Sequence, residues 1–527
     1  MSLLRATATV SGFTLLSRIT GLLRDVIIAR AFGAGLLTDA FWVAFRIPNL
    51  LRRLFAEGAF AQAFVPILGE VKNRHGDEEV KALLDRVALT LFSVLLLVTV
   101  IGIIGAPFVV ISMASGLGST GKEASFLSAV AMTRIMFPYI ICMSLVAFAS
   151  GILNTWRRFA VPAFTPVLLN LSMIGSAFTI SRYLEEPIYA LAIGVMVGGL
   201  LQLAVQWIAL SKFGLRPRFS LNIKQALRDA TVRRIMRQML PATLGVSVAQ
   251  ISLLINTNIA TWLKPGSVTW LSFADRLMEF PTALIGVALG TVLLPTLSKA
   301  SIDPTTGQYS RLLDWGLKLV LLLGLPAALA MMLISDAMVA VLFHYGAFTT
   351  EDVAQTQIAV VAYSVGLIGL LAVKVLAPGF YAKQNIRTPV IIAICVLIAT
   401  QLMNLLLVPL LAHAGLALAI GLGASLNALA LLVGLKRRGI YQPGKGWLIF
   451  LSRIALALVA MSVPLILLAR QFDWAGMQNT PFIRITALTA VLLGSCLTYA
   501  ISLWVVGIRL ADFKRAPSDH AKTPSTR

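Results

Sequence analysis

The chain has 527 residues, 58% of them hydrophobic and only 13% charged, with a mean hydropathy of +0.87. That composition excludes a water-soluble multidomain chain, which would need polar surface over each domain, and specifies an all-α protein that crosses a membrane many times. Lysine plus arginine number 44 against 22 aspartate plus glutamate, a net charge of +22 that would suggest nucleic acid in a soluble protein, so the placement of the cations decides what they mean.

A span needs about 20 apolar residues, and about fourteen segments come near that length. They are 9–32, 37–66, 86–113, 124–151, 160–181, 187–209, 238–263, 267–298, 315–336, 353–378, 388–409, 413–435, 446–469 and 483–507. The N-terminus lacks a short apolar core with a small-residue cleavage site, so it reads as an uncleaved first span.

The first span, SGFTLLSRITGLLRDVIIAR, holds Arg18, Arg24, Asp25 and Arg30. The second holds Asp39, Arg46, Arg52, Arg53 and Glu57. A charge at mid-bilayer costs roughly 2.5–3.5 kcal/mol on insertion scales. A chain that places several there is expected to line a polar cavity with them, and their positive excess suits a negative occupant. Asp39, Arg46 and Arg53 recur at sevens and share a helix face, Glu57 continues it, and Arg52 stands about 100° away. On the first span Arg18 and Asp25 share a face. On the eighth, Thr269, Ser272, Arg276 and Glu279 follow a helical spacing with Asp275 beside them. Pro48 and Pro281 interrupt helix hydrogen bonds at corresponding positions, as spans lining cavities often do. Lys374 adds a cation farther on. Arginine suits a phosphate ligand, since its planar fork binds two oxygens and stays charged at any biological pH. The competing reading is internal ion pairing, Arg18 with Asp25 or Arg53 with Glu57, or snorkelling to the interface.

The connections carry a topology signal. The 211–238 stretch has Lys212, Arg216, Arg218, Lys224, Arg228, Arg233, Arg234 and Arg237; Arg157, Arg158, Lys383, Arg387, Lys436, Arg437, Arg438 and Lys445 occupy other turns on the same side. The alternate turns 32–38, 336–352 and 409–415 contain no lysine or arginine. That alternation places both termini in the cytoplasm and implies an even number of spans. The basic 211–238 stretch is amphipathic and is expected along the cytoplasmic interface, in contact with anionic lipid.

The chain is also duplicated. FWVAFRIPNLLRRLFAEGAFAQAFVPILG at 41–69 is echoed by WLSFADRLMEFPTALIGVALGTVLLPTLS at 270–298, and RRFAVPAF at 157–164 by NIRTPVII at 385–392. Two independent prolines, Pro66 with Pro295 and Pro162 with Pro389, give nearly the same offset. Two parallel six-helix lobes follow, 1–216 and 217–440, then two C-terminal helices in 441–510 and a disordered cytoplasmic tail at 511–527.

Enzyme signatures are weak. GLGSTGKE at 116–123 has P-loop spacing, but Glu123 stands where a Ser or Thr would coordinate magnesium. The four histidines show no metal-ligand spacing. Cys142, Cys395 and Cys496 lie in three different spans and read as packing residues, and the Gly-x-Gly at 421–423 reads as a helix-packing motif.

The segments SRITGLLRD, TDAFWVAFRIPNLLRRLFAEGAFAQAFVPIL, GILNTWRRFAVPAF, ADRLMEFPTALIGVALGTVLLP and VKVLAPGFYAKQNIRTP resemble the MurJ (MviN) family, the lipid II flippases of bacterial cell-wall synthesis, over residues 1–510. The family belongs to the multidrug/oligosaccharidyl-lipid/polysaccharide exporter superfamily. The resemblance implies fourteen spans, two six-span lobes forming a V and a final helix pair that makes an apolar groove for a lipid tail. It implies substrate-binding arginines at Arg18, Arg24, Arg52 and Arg276. It also implies acidic gating positions at Asp39, Asp275 and Glu279, while Asp25, Arg53, Glu57 and Lys374 are further cavity-lining candidates. Spacing favours Arg53 and the resemblance Arg52; helical phase across the Pro48 bend is a weak guide, so Arg52 is preferred.

The expected function is that of a lipid II flippase in the bacterial cytoplasmic membrane, without cofactor or metal, driven by membrane potential or an ion gradient. Its expected partners are lipid II and membrane lipids, not nucleic acid. The alternatives are an exporter of another polyprenyl-linked glycan, a multidrug or cation antiporter, and a non-transporting scaffold of wall assembly.

Overall fold

The computed structural model describes residues 3–52, 60–74, 76–218, 222–301, 307–509 and 513, and the regular elements among them are helices. The chain forms two compact units, 1–269 and 270–527. The first contains α1 (Leu3–Phe32), α2 (Leu36–Arg52), α3 (Phe60–Arg74), α4 (Gly76–Ile104), α5 (Ala106–Met113), α6 (Glu123–Met136), α7 (Tyr139–Thr155), α8 (Ala160–Thr179), α9 (Tyr189–Lys212), α10 (Ile223–Arg228) and α11 (Ala230–Trp262). Helix α12 (Ser267–Ala300) begins in the first unit and runs into the second. The second contains α13 (Gln308–Leu333), α14 (Ser335–Phe343), α15 (Thr350–Ser364), α16 (Leu367–Tyr381), α17 (Arg387–Leu411), α18 (His413–Arg437), α19 (Trp447–Ala469) and α20 (Pro481–Val505).

Local chemistry sets the boundaries. Asp229 caps α11 by accepting from the Thr231 and Val232 amides. Thr349 and Asp352 form a reciprocal capping box that starts α15. Pro107 opens α5 and Pro138 precedes α7, so the expected spans 86–113 and 124–151 are each built from two helices with a break between them. The corresponding break in the second unit, between α15 and α16, has Gly366. The order of elements recurs: a long and a short helix (α4, α5; α13, α14), a broken pair (α6, α7; α15, α16), then two long helices (α8, α9; α17, α18). The two units thus share an order of elements.

Ten helical segments among the described residues are long and apolar enough to cross a membrane. The fourteen expected from sequence further require α1, the α2–α3 stretch, α11 and α12. These are the helices that carry charge or buried polar groups, among them Arg24, Asp25, Asp39, Gln250, Asn256 and Thr257. They are poorly suited to face lipid on all sides and well suited to face polar partners.

In the first unit α8 packs against α1 and α9, α7 against α9, and α2 against α6. A stack of Phe60, Phe64 and Phe148 joins α3 to α7. Packing and repeat divide the chain at different points: α10 and α11 follow residue 217 in sequence and pack on the first unit. Arg86 of α4 pairs with Asp229 at 2.6 Å and Arg234 of α11 with Glu70 of α3 at 3.1 Å. In the second unit α18 packs on α16 and α17, and α13 on α16 and α19. Backbones approach closely there, as the Gly-x-Gly motif suggested. A Cβ on Gly366 would lie 2.0 Å from the Cα of Gly421, and one on Gly423 would lie 2.3 Å from Thr400 Oγ1.

Asp314, buried on α13, gathers the connection before the final helix pair. Its carboxylate accepts from Lys318 Nζ at 2.8 Å, Tyr441 Oη at 2.9 Å, the Gly444 amide at 3.2 Å and Trp447 Nε1 at 2.7 Å. Asp314→Ala strands these donors and should destabilise the protein by roughly 3 kcal/mol, the scale for breaking a buried charged pair. Thermal unfolding in detergent should show a lower apparent midpoint for Asp314→Ala than for Asp314→Asn, which retains an acceptor. Equal midpoints for wild type and both variants would remove Asp314 as the anchor.

Candidate functional site

The charged positions on α1 do not behave alike. Arg24 is buried, 5% exposed, and its donors are engaged: Nε and Nη2 reach Asp25 Oδ1 at 2.9 and 2.7 Å, and Nη1 reaches Asn170 Oδ1 at 3.1 Å. Asn170 of α8 is held in turn, its Nδ2 donating to Ser17 O at 3.0 Å and Thr20 Oγ1 at 3.1 Å. The partner of Asp25 is therefore its neighbour Arg24, not Arg18, with which it shares a helix face. Adjacent residues on a helix diverge by about 100°, but the long arginine stem folds back along α1, and Asn170 holds its far end. Arg18 is half-buried and has no hydrogen bond or ion pair among the described residues.

Asp39, in the first turn of α2, is buried and accepts three hydrogen bonds: from the Gly266 amide at 2.7 Å, the Thr269 amide at 2.8 Å and Thr269 Oγ1 at 2.6 Å. The acceptor thus sits on the opening turn of α12, where amides are unpaired and the helix dipole favours negative charge. One helical register further, Arg46 donates to Thr257 Oγ1 of α11. These two contacts tie α2 to both ends of the α11–α12 turn.

The P-loop-like segment grips the same turn. Lys122 Nζ donates to Thr261 O at 3.0 Å and Leu263 O at 3.2 Å, the amide of Gly116 donates to Thr261 Oγ1 at 3.2 Å, and Ser115 bridges Asn258 and the Trp262 indole. Gly116 is required by contact: a Cβ would stand 2.4 Å from the Thr261 carbonyl carbon. Its lysine neutralises the free carbonyls of a helix C-terminus.

In the second unit, Arg276 Nη1 pairs with Glu279 Oε2 at 2.6 Å, and the two side chains are 26% and 40% exposed. Asp275 is exposed. Lys374 is exposed on α16, with its Cγ 3.6 Å from where a Cβ on Gly286 of α12 would stand. The start of α12 is fixed within this unit by Trp270, whose indole donates to Asp352 at 2.9 Å and packs on His413. Arg53 and Glu57 lie outside the described residues, as does the side chain of Arg52.

Sequence reading passed over Arg484. This arginine of α20 is 0% exposed and meets His344 through its carbonyl, 3.4 Å from Nη1, and its ring Nδ1, 3.5 Å from Nη2; the guanidinium lies 5.4 Å from the Tyr345 ring. Arg484 Nε has no hydrogen-bond partner among the described residues. A lone arginine near the start of an apolar helix looks like a snorkelling residue until a histidine turn is known to cover it. Among the described residues no three His, Cys, Asp or Glu side chains gather as a metal site.

The chain matches the family model described as "Lipid II flippase MurJ" over residues 28–485. It is 53% identical to a Burkholderia cenocepacia protein described as "Lipid II flippase MurJ", over 98% of this chain and 99% of that one. It is 39% identical to a Vibrio cholerae protein described as "Probable lipid II flippase MurJ", over 98% of each. Among solved structures it resembles "Lipid II flippase MurJ, inward closed conformation", with a TM-score of 0.78 at 24% identity over 95% of this chain and 99% of that one. It also resembles an inward-facing multidrug resistance transporter of the MATE family and MOP superfamily, with a TM-score of 0.63 at 14% identity over 82% of this chain and 98% of that one.

Burial and the neighbouring Arg484 charge hold the His344 pKa below its usual 6.5. The folded state therefore favours the neutral ring, and stability is fully present above pH 6.5 and declines below it as the unfolded chain takes up the proton. The apparent unfolding midpoint should fall between pH 7 and pH 5, and His344→Gln should flatten that fall. A slope unchanged by His344→Gln would show that other groups set it.

Proposed function

The chain belongs to the lipid II flippase MurJ family, and from that premise we propose that it moves lipid II from the cytoplasmic to the outer leaflet of the bacterial cytoplasmic membrane by alternating access. It is a transporter of many helical spans. The basic turns face the cytoplasm, with both termini there, and the spans total fourteen. The six-span lobes are 1–216 and 217–440. The helices of 441–510 carry the polyprenyl tail, and exposed apolar residues along α19 and α20, such as Leu456, Val459, Leu493 and Leu497, suit that contact. Residues 511–527 form a cytoplasmic tail.

The observation that carries the reading is cationic charge within expected spans: Arg18 and Arg24 on α1, Arg52 at the end of α2 and Arg276 on α12. Arg18, Arg24, Arg52 and Arg276 supply charge to the substrate diphosphate, and magnitudes separate their roles. The Arg276–Glu279 pair is partly exposed, and such pairs are worth about 0–1 kcal/mol, so a diphosphate displaces Glu279 at small cost. Arg18 has no partner among the described residues to give up. Arg24 is buried with Asp25, where breaking a pair costs about 3–5 kcal/mol, so it acts in place as fixed positive charge. Asp39 latches the α11–α12 turn and must let go for that end to open; Asp25, Arg53, Glu57, Asp275 and Lys374 tune charge along the path. No cofactor is invoked. A potential of 100 mV, inside negative, favours outward movement of each negative charge by ~2.3 kcal/mol, and an ion gradient or removal of product supplies the rest.

Replacement of Arg18, Arg52 or Arg276 by Gln should weaken lipid II binding by about tenfold or more, the scale of a lost charge-assisted hydrogen bond. Each variant should fail to support growth of cells depleted of their own flippase, with expression verified. Growth and binding at wild-type level in all of them would reject the role of these arginines.

A further inference from the structure

We infer that the first unit holds a dedicated site for the phosphate of an anionic glycerophospholipid headgroup, at the base of α9 and separate from the arginines assigned to the substrate. The site is a cavity of about 410 Å³ lined by Lys81, Trp207, Ser211, Gly214, Arg216, Pro217 and Arg218. That volume falls within the range of about 300–1,000 Å³ typical of small-ligand sites. Its location in the headgroup layer rests on the orientation given by the basic turns.

The cavity is built by fixed backbone. Helix α9 ends in a turn where Gly214 has φ +68° and the Leu215 amide returns to Leu210 O at 3.0 Å. Phe213, next in line, is covered by the Arg158 guanidinium at 4.5 Å. At the far end of the segment the Arg218 amide donates to Asp85 Oδ1 of α4 at 2.6 Å. Asp85 accepts this backbone bond and makes no ion pair with Lys81, Arg216 or Arg218 within 4.0 Å. The other nearby acids are Asp77 and Glu78, one turn before Lys81 on α4, and neither pairs with it within 4.0 Å. Elsewhere in the first unit Glu70 is held by Arg74 and Arg234, and Asp229 by Arg86. Lys81, Arg216 and Arg218 are all exposed, and none has a carboxylate partner among the described residues.

Three uncommitted cations, a hydroxyl and an indole around one hollow match the chemistry of a phosphodiester at a membrane surface. The guanidiniums and the ammonium take the phosphate oxygens, the Ser211 hydroxyl, which donates to Trp207 O at 2.9 Å, gives the wall a polar edge, and Trp207 is a residue type that settles at the headgroup level. Exposed Leu200, Leu201 and Ile208 lie on α9 immediately toward the bilayer, the last of them one turn before Ser211, so acyl chains have an apolar surface directly beside the cations.

Native mass spectrometry of the intact protein with dioctanoyl phosphatidylglycerol tests this, with dioctanoyl phosphatidylcholine and inorganic phosphate as the other arms. Phosphatidylglycerol should bind in preference to phosphatidylcholine, and millimolar inorganic phosphate should not displace it. R216Q/R218Q should weaken binding roughly twenty- to thirtyfold and K81Q, on a separate helix, roughly fivefold, following the usual contribution of each cation near an anionic surface. K436Q/R437Q, which removes equal charge from a cytoplasmic turn of the second unit, should leave it unchanged. Equal losses in the two double variants, or no preference over phosphatidylcholine, overturn the site; displacement by inorganic phosphate overturns the lipid assignment. K81Q reads the site if the double variant does not fold.

Discussion

Hydrocarbon cannot solvate an ion, so each charge placed between lipid leaflets must be answered by the protein itself. That constraint organises this molecule. Asp39 is answered by the opening amides of α12 and by Thr269, and Arg24 by Asp25 and Asn170. Lys122, in the connection between two spans, is answered by the closing carbonyls of α11. In two of these three cases the partner is a helix end, where unpaired backbone groups must also be satisfied. Charge and backbone thus meet each other's needs at the turn between α11 and α12. The resulting grip explains why α11, which opens the second repeat in sequence, packs with the first unit.

The same constraint sorts charges by what they can do. An ion held by three or four protein groups is structural unless something of comparable strength replaces those groups. Arg24, Asp39 and Asp314 are of this kind. Arg276, paired with the half-exposed Glu279, and Arg18, with no partner among the described residues, can take up a stronger ligand at little cost. Burial and partner number discriminate among guanidiniums that look alike in the sequence.

Much of the architecture was legible in the residues. Hydropathy marked the apolar helices, and the order of elements is shared between the two units. The Gly-x-Gly motif was readable as packing, which is what Gly421 does against Gly366; the P-loop-like segment was read only as a poor nucleotide match, and its Gly116 and Lys122 hold the α11–α12 turn. What escaped was partnership between distant residues. Spacing on one helix paired Asp25 with Arg18, because helical phase is the sequence's ruler. The guanidinium of Arg24 instead bends along the helix to a carboxylate one residue away, and Asn170, 146 positions later, makes that bend worthwhile. Arg484 was missed for the same reason. Its significance lies in His344, and neither periodicity nor composition joins them. Family resemblance contributed the ranking of Arg18, Arg24, Arg52 and Arg276, which residue chemistry by itself could only nominate.

The contact of Gly366 with Gly421 places two main chains against each other with no side chain between them. Side chains at a helix interface can slide over one another by changing rotamer; bare backbone has no such freedom. Any side chain larger than hydrogen at Gly366 would therefore push the break between α15 and α16 off α18, so this glycine pair sets how closely the broken span and its neighbour can approach.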